Sequence, residues 1–285
     1  MSDLHNAIKI LISLIIFLFA GNLIVLGYYH FSGNTDLSYT TYAYLDVIIS
    51  LFTIICLIII YHDILIKDFK ELKKSKIFDV IQLIIGAVIT LFLIKIFSSI
   101  LETIICDIFN IGQAEVENQQ SVEALLKSAP LIMGLSVCIL APFEEELLFR
   151  GGIKKAIKNK RVFMSVSGLI FGLMHVTDHY LLLIGILIVG LVIDFIYRLD
   201  ITNSTKVSMS IASIALIFSI VGFILVLIYG YQGLISSFDA NELIGGITYV
   251  IAGLYLAHLY YAYNNIYINM GVRAANNIIS MLISL

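Results

Sequence analysis

Residues 131–152 read LIMGLSVCILAPFEEELLFRGG. An unbroken run of apolar and small residues leads straight into Glu144, Glu145 and Glu146, and Arg150 follows four residues after the last acid. The run is as apolar as a membrane segment, so the charges need water, a partner or one another.

The rest of the chain supports the membrane setting. Of 285 residues, 60% are hydrophobic and only 13% are charged, too little polar material to cover a water-soluble domain. Apolar windows of about 20 residues, enough to cross ~30 Å of hydrocarbon, recur along the chain. The expected fold class is all-α: a polytopic transmembrane helix bundle of eight to nine spans. They fall at roughly 6–29, 42–65, 79–101, 129–150, 162–178, 180–197, 207–230, 243–263 and 266–285. Residues 1–101 form three N-terminal helices without motifs, 102–128 an acidic outer loop or interfacial helix, and 129–285 a core. No soluble domain of useful size is present, so function is expected inside the bundle, and nucleic acid is not an expected partner. Cys56, Cys106 and Cys138 form no C-x-x-C pair and read as packing residues.

Charge in the connections sets an expected orientation. Lys67, Lys70, Lys73, Lys74 and Lys76 fall on one side with Lys154, Lys155, Lys158, Lys160 and Arg161. The alternate loops are acid-rich, with Glu102, Asp107, Glu115, Glu117 and Glu123 in one and Asp239 and Glu242 in another. The positive-inside rule then puts the N-terminus in the cytoplasm and the Glu cluster near the cytoplasmic face. The expected location is a bacterial plasma membrane.

Polar residues within spans carry the functional signal, because one carboxylate at mid-bilayer costs about 2.5–3.5 kcal/mol to insert. Glu146 and Arg150, at i and i+4, are in the favourable order for an intrahelical ion pair. Glu145 is turned about 100° away and must face something else. Pro142 removes a backbone donor and is expected to kink the span. The next span offers Phe171 and His175 at i, i+4. In the last span Asn269, Arg273 and Asn277 recur every fourth residue, with Asn276 on the adjacent face. Arg273 needs an anionic partner, for which the Glu cluster is the candidate. Asp194 and Arg198 read as a structural i, i+4 pair, Lys95 as a snorkelling residue, Asp178 and His179 as loop residues, and His258 as ambiguous.

Taken in order, Glu145-Glu146-x-x-x-Arg150 and Phe171-x-x-x-His175 resemble the first two motifs of the CPBP or Abi intramembrane endopeptidases. That group includes CAAX prenyl proteases and bacteriocin self-immunity proteins. The third motif, H-x-x-x-N, is represented by Arg273-x-x-x-Asn277, with arginine in place of histidine, and a span near 207–230 reads as an insertion. The resemblance implies that Glu145 is the general base and that His175 holds or polarises a water. It also implies that Glu146 and Arg150 brace the site and that Asn277 donates to the oxyanion. The cofactor is either none or a divalent metal such as zinc. Arg273 stays protonated and cannot ligate a metal, but can stabilise an oxyanion.

The leading expectation is an intramembrane endopeptidase that hydrolyses a peptide bond near the cytoplasmic face of a membrane-embedded or membrane-proximal substrate. The alternative is a catalytically degenerate scaffold or regulator partnered by a sensor kinase, a wall hydrolase or a bacteriocin target. An ion-coupled transporter is the third reading, disfavoured because no inverted repeat is visible.

Overall fold

The computed structural model describes residues 2–33, 36–109, 117–177, 179–236 and 240–284. Asp178 and Asp239 lie outside the described residues. All regular structure among those described is helical. Three long helices come first: α1 (Ser2–Ser32), α2 (Tyr39–Leu72) and α3 (Ile77–Phe109). The short α4 (Glu117–Ser128) buries Leu125 and Leu126 against Ala43 and Met133. The Glu-bearing segment then runs as α5 (Pro130–Leu135), a π-helical turn π1 (Ser136–Leu140), α6 (Ala141–Glu146), a second turn π2 (Leu147–Gly152) and α7 (Ile153–Ala156). The remaining helices are α8 (Lys160–Leu173), α9 (Tyr180–Arg198), α10 (Asn203–Ser236), α11 (Ala240–Tyr263) and α12 (Ile266–Ser284).

Six of these, α1, α2, α3, α9, α10 and α11, are long and apolar enough to cross a membrane. The three other expected spans, at 129–150, 162–178 and 266–285, are the ones that carry the motif residues. The first is broken into short helices by two π turns, and polar residues dilute the last. In addition, α8 has only 14 residues, about 21 Å of helix, which is short of a bilayer. The more apolar helices thus pack around a group of shorter or more polar ones, with α11 lying against α8 at the centre.

Close packing at the centre follows from glycine. Gly168 and Gly172 sit four apart on α8, the small-xxx-small spacing that lets two helix backbones approach. A Cβ on Gly172 would stand 2.6 Å from the Val250 amide nitrogen of α11, and one on Gly253 would stand 2.9 Å from the Gly168 carbonyl oxygen. At the far extreme, α10 packs on α9 and buries only 6% of its apolar window.

Two carboxylates fix the starts of the site helices. Asp194 Oδ1 accepts from the backbone N–H of Lys158 (3.0 Å) and Asn159 (2.6 Å), just before α8. Asn159 then caps α8 by accepting from Arg161 and Val162. Asp68 Oδ2 accepts from the Ile266 N–H at 2.8 Å, and Asn265 Nδ2 donates to the Asp68 carbonyl at 2.7 Å, tying the first turn of α12 to the end of α2. These contacts hold otherwise orphaned helix-terminal donors.

Candidate active site

Pro142 shapes the segment that carries the acids. It has no N–H, and the chain accommodates it by widening the turn just before it, so that the Ala141 N–H donates to the Ser136 carbonyl five residues back. A second π turn follows the acids. Within π2 the Phe149 carbonyl accepts from Ser167 Oγ of α8 at 2.9 Å, which ties the two segments together.

The three consecutive glutamates fan out at helical spacing, one to α2 and two to α12. Glu144 Oε1 accepts from Ser50 Oγ of α2 at 3.1 Å. Glu145 Oε2 meets Arg273 Nη1 of α12 at 2.5 Å. Glu146, fully buried, has Oε1 at 3.2 Å from Arg150 Nη1 and 3.6 Å from Arg273 Nη1. Its Oε2 accepts from Asn269 Nδ2 at 3.1 Å, and the same amide group also donates to the Leu256 carbonyl at 2.8 Å. Two carboxylates and two guanidinium groups thus form one alternating cluster, in which opposite charges stabilise groups that burial alone would exclude.

Phe171 connects this cluster to the histidine. The guanidinium carbons of Arg150 and Arg273 each lie 4.6 Å from its ring centroid, in cation–π geometry. The same ring lies 4.8 Å from the His175 imidazole. Gly253 contributes its carbonyl, which accepts from Arg150 Nη2 at 3.3 Å. A side chain there would collide with Phe171 Cδ1 at 2.9 Å.

Five of the six expected site residues, Glu145, Glu146, Arg150, His175 and Arg273, come together in this way. Asn277 is placed differently. Its Nδ2 donates to the Val137 carbonyl in π1 at 2.8 Å, and its Oδ1 accepts from Asn276, so it pins α12 to the Glu-bearing segment. His175 is not inside a helix as expected: α8 ends at Leu173, and His175 sits in the following turn, its N–H on the Gly172 carbonyl at 3.2 Å. Lys95 turns toward α12, its Nζ 3.5 Å from Ser280 Oγ, rather than outward. His258 is exposed and His179 is buried beside Tyr229.

Asn269 and Tyr249 were not assigned to the site from sequence. Asn269 had a legible signal, one turn before Arg273 on the same stripe. Tyr249 stacks on the His175 ring with centroids 4.5 Å apart and planes at 13°. Nothing local in the sequence announces that contact, because it depends on how closely α11 approaches α8.

The donor set does not suit a metal ion. Among the described residues no group of three or more His, Cys, Asp and Glu side chains is placed to hold one. Glu145 and Glu146 are both engaged by guanidinium groups, which stay protonated and cannot ligate a metal.

Residues 127–214 match the family model described as Rce1-like, type II CAAX prenyl endopeptidase. The matched segment contains Glu145, Glu146, Arg150 and His175 and ends before Asn269, Arg273 and Asn277. The chain is similar to that family over this part of its length, in keeping with the resemblance carried by its first two motifs. No curated protein and no solved structure matches the chain.

Proposed function

We propose, with the match of residues 127–214 as premise, that the protein is an intramembrane endopeptidase acting near the cytoplasmic face of its membrane. The observation that carries this reading is that Glu145, Arg150 and His175, all within the matched segment, are gathered with Arg273 around the Phe171 ring: Arg150 and Arg273 lie over it, His175 packs beside it, and Arg273 holds Glu145. In the reaction Glu145 takes a proton from a water hydrogen-bonded to His175, and the water oxygen attacks the peptide carbonyl carbon. Arg273 donates to the oxygen that becomes negative, and Glu145 then returns the proton to the departing amine as the C–N bond breaks. Glu146, held by Arg150 and Asn269, keeps Arg273 within reach of both partners. Asn277 acts by anchoring α12 through Val137. No metal step is included, since the residues do not offer a ligand set. The substrate is a peptide segment in or beside the membrane.

The test is cleavage of membrane-associated peptides by the purified protein in liposomes. Glu145→Gln and His175→Ala are each expected to lower the rate by at least about 100-fold, the scale of general acid–base catalysis, while the protein stays folded. Full activity in either variant rejects the assignment.

One observation favours the second reading, a catalytically silent scaffold or regulator. Glu145 already accepts a charge-assisted hydrogen bond from Arg273, and a base so engaged is a weaker one. On that reading Glu145→Gln leaves the cellular phenotype unchanged, and Arg273→Glu unfolds the bundle by unbalancing its buried charge.

A further inference from the structure

We propose that Tyr249 is a positioning residue for His175, clamping the imidazole in the tautomer whose lone pair is on Nε2. The catalytic consequence rests on the protease reading above; the structural claim does not.

The argument starts from one hydrogen bond. His175 Nδ1 lies 2.7 Å from the Phe171 carbonyl oxygen. A carbonyl oxygen can only accept, so Nδ1 carries the hydrogen, and the neutral ring keeps its lone pair on Nε2. That is the nitrogen left to bind a water or relay a proton. The bond holds only while the ring keeps its orientation, and the turn in which His175 stands, beyond the last residue of α8, fixes its backbone but not the rotation of its ring.

The restraint comes from two aromatic neighbours. Phe171 packs against the imidazole at 4.8 Å with planes inclined at 53°, and Tyr249 lies nearly parallel to it, at 4.5 Å and 13°. Aromatic pairs at such separations attract beyond the area they bury, which favours one ring orientation. Tyr249 is delivered to that place by two features. Gly172 lets the neighbouring Val250 backbone approach so closely that any Cβ would overlap it. Glu102 of α3 accepts from both the Thr248 N–H (3.0 Å) and the Thr248 hydroxyl (2.6 Å), fixing the adjacent turn of α11. Tyr249, Glu102 and Thr248 lie outside the matched segment 127–214, while Phe171, Gly172 and His175 lie inside it, so the clamp joins the matched part of the chain to a part that the family model does not reach.

The experiment is nitrogen-15 NMR of the full chain in detergent micelles, with labelled histidine and His175→Gln to assign the signal. Wild type is expected to show a protonated Nδ1 and an unprotonated Nε2 in the neutral ring, and Tyr249→Phe, which keeps the stack, the same pattern. Tyr249→Leu keeps apolar bulk without the ring and is expected to give exchange-averaged shifts of a tautomer mixture, as is Tyr249→Ala. Peptide cleavage by Tyr249→Leu is expected to fall at least about tenfold, as misplaced catalytic groups do, and to be rescued by Tyr249→Phe. A single Nδ1–H tautomer persisting in a folded Tyr249→Leu overturns the proposal, as does a tautomer mixture in Tyr249→Phe. A locked tautomer in a wild-type protein that cleaves nothing upholds the clamp and removes the protease reading instead.

Discussion

Glu146–Arg150 and Asp194–Arg198 are the same pattern in sequence, an acid followed by arginine four residues later, yet the fold uses them differently. Their ion-pair distances are nearly equal, 3.2 and 3.1 Å. In the first, both side chains are fully buried, and the pair is joined by Arg273, Asn269, the Phe171 ring and the Gly253 carbonyl. In the second, the Asp194 side chain is buried but Arg198 is 39% exposed, and its other partner is the half-exposed Asp3 at the start of α1. Asp194 spends its second oxygen on the backbone before α8. Spacing alone therefore says that a pair can form. What the pair does depends on whether a second element closes over it.

The largest expected effect comes from breaking the closed pair. Arg150→Met leaves Glu146 buried with only part of its compensation and should lower stability by about 3–5 kcal/mol, read as unfolding in detergent. Adding Glu146→Leu to that variant should recover much of the loss, because no lone charge then remains inside. Asn269→Ala sharpens the same point at smaller scale. It removes one bond to Glu146 and one to the Leu256 carbonyl, and about 1–3 kcal/mol is expected. Asp194→Ala frees two backbone donors ahead of α8 and should cost about 1–2 kcal/mol, seen also as faster amide exchange at Lys158 and Asn159. Arg198→Ala should change stability by less than about 1 kcal/mol, and 1 M salt should diminish the difference further. If Arg198→Ala proved as damaging as Arg150→Met, burial would not be what separates the two pairs.

Much of the inner group was legible because membrane chemistry makes polar residues expensive. The acids at 144–146, the i, i+4 relation of Glu146 to Arg150, the need of Arg273 for a carboxylate and the pairing of Phe171 with His175 all follow from spacing and charge. The structural role of Asp194–Arg198 was legible for the same reason. Less legible was the number of crossings. The segments with site residues are shortened and diluted by the polar groups that mark them, and α8 proves to be a 14-residue helix whose histidine lies past its end. Asn277 shares a stripe with Arg273, but its side chain is taken by the Val137 carbonyl in a π turn, a geometry that helical periodicity does not anticipate. The approach of α11 was encoded in GLIFG, residues 168–172, whose spacing announces a close backbone contact without naming its partner. Tyr249 could be recognised only once that partner was known.

The central claim is that Glu145 of α6 and Arg273 of α12 hold each other inside one buried cluster. A double-mutant cycle on Glu145→Gln and Arg273→Met, followed by thermal unfolding in detergent, measures it most directly. The structure predicts a coupling above about 1 kcal/mol, with the double variant more stable than the sum of the single losses implies. Losses that add to within about 0.5 kcal/mol would show that the two residues do not meet, and would contradict the account.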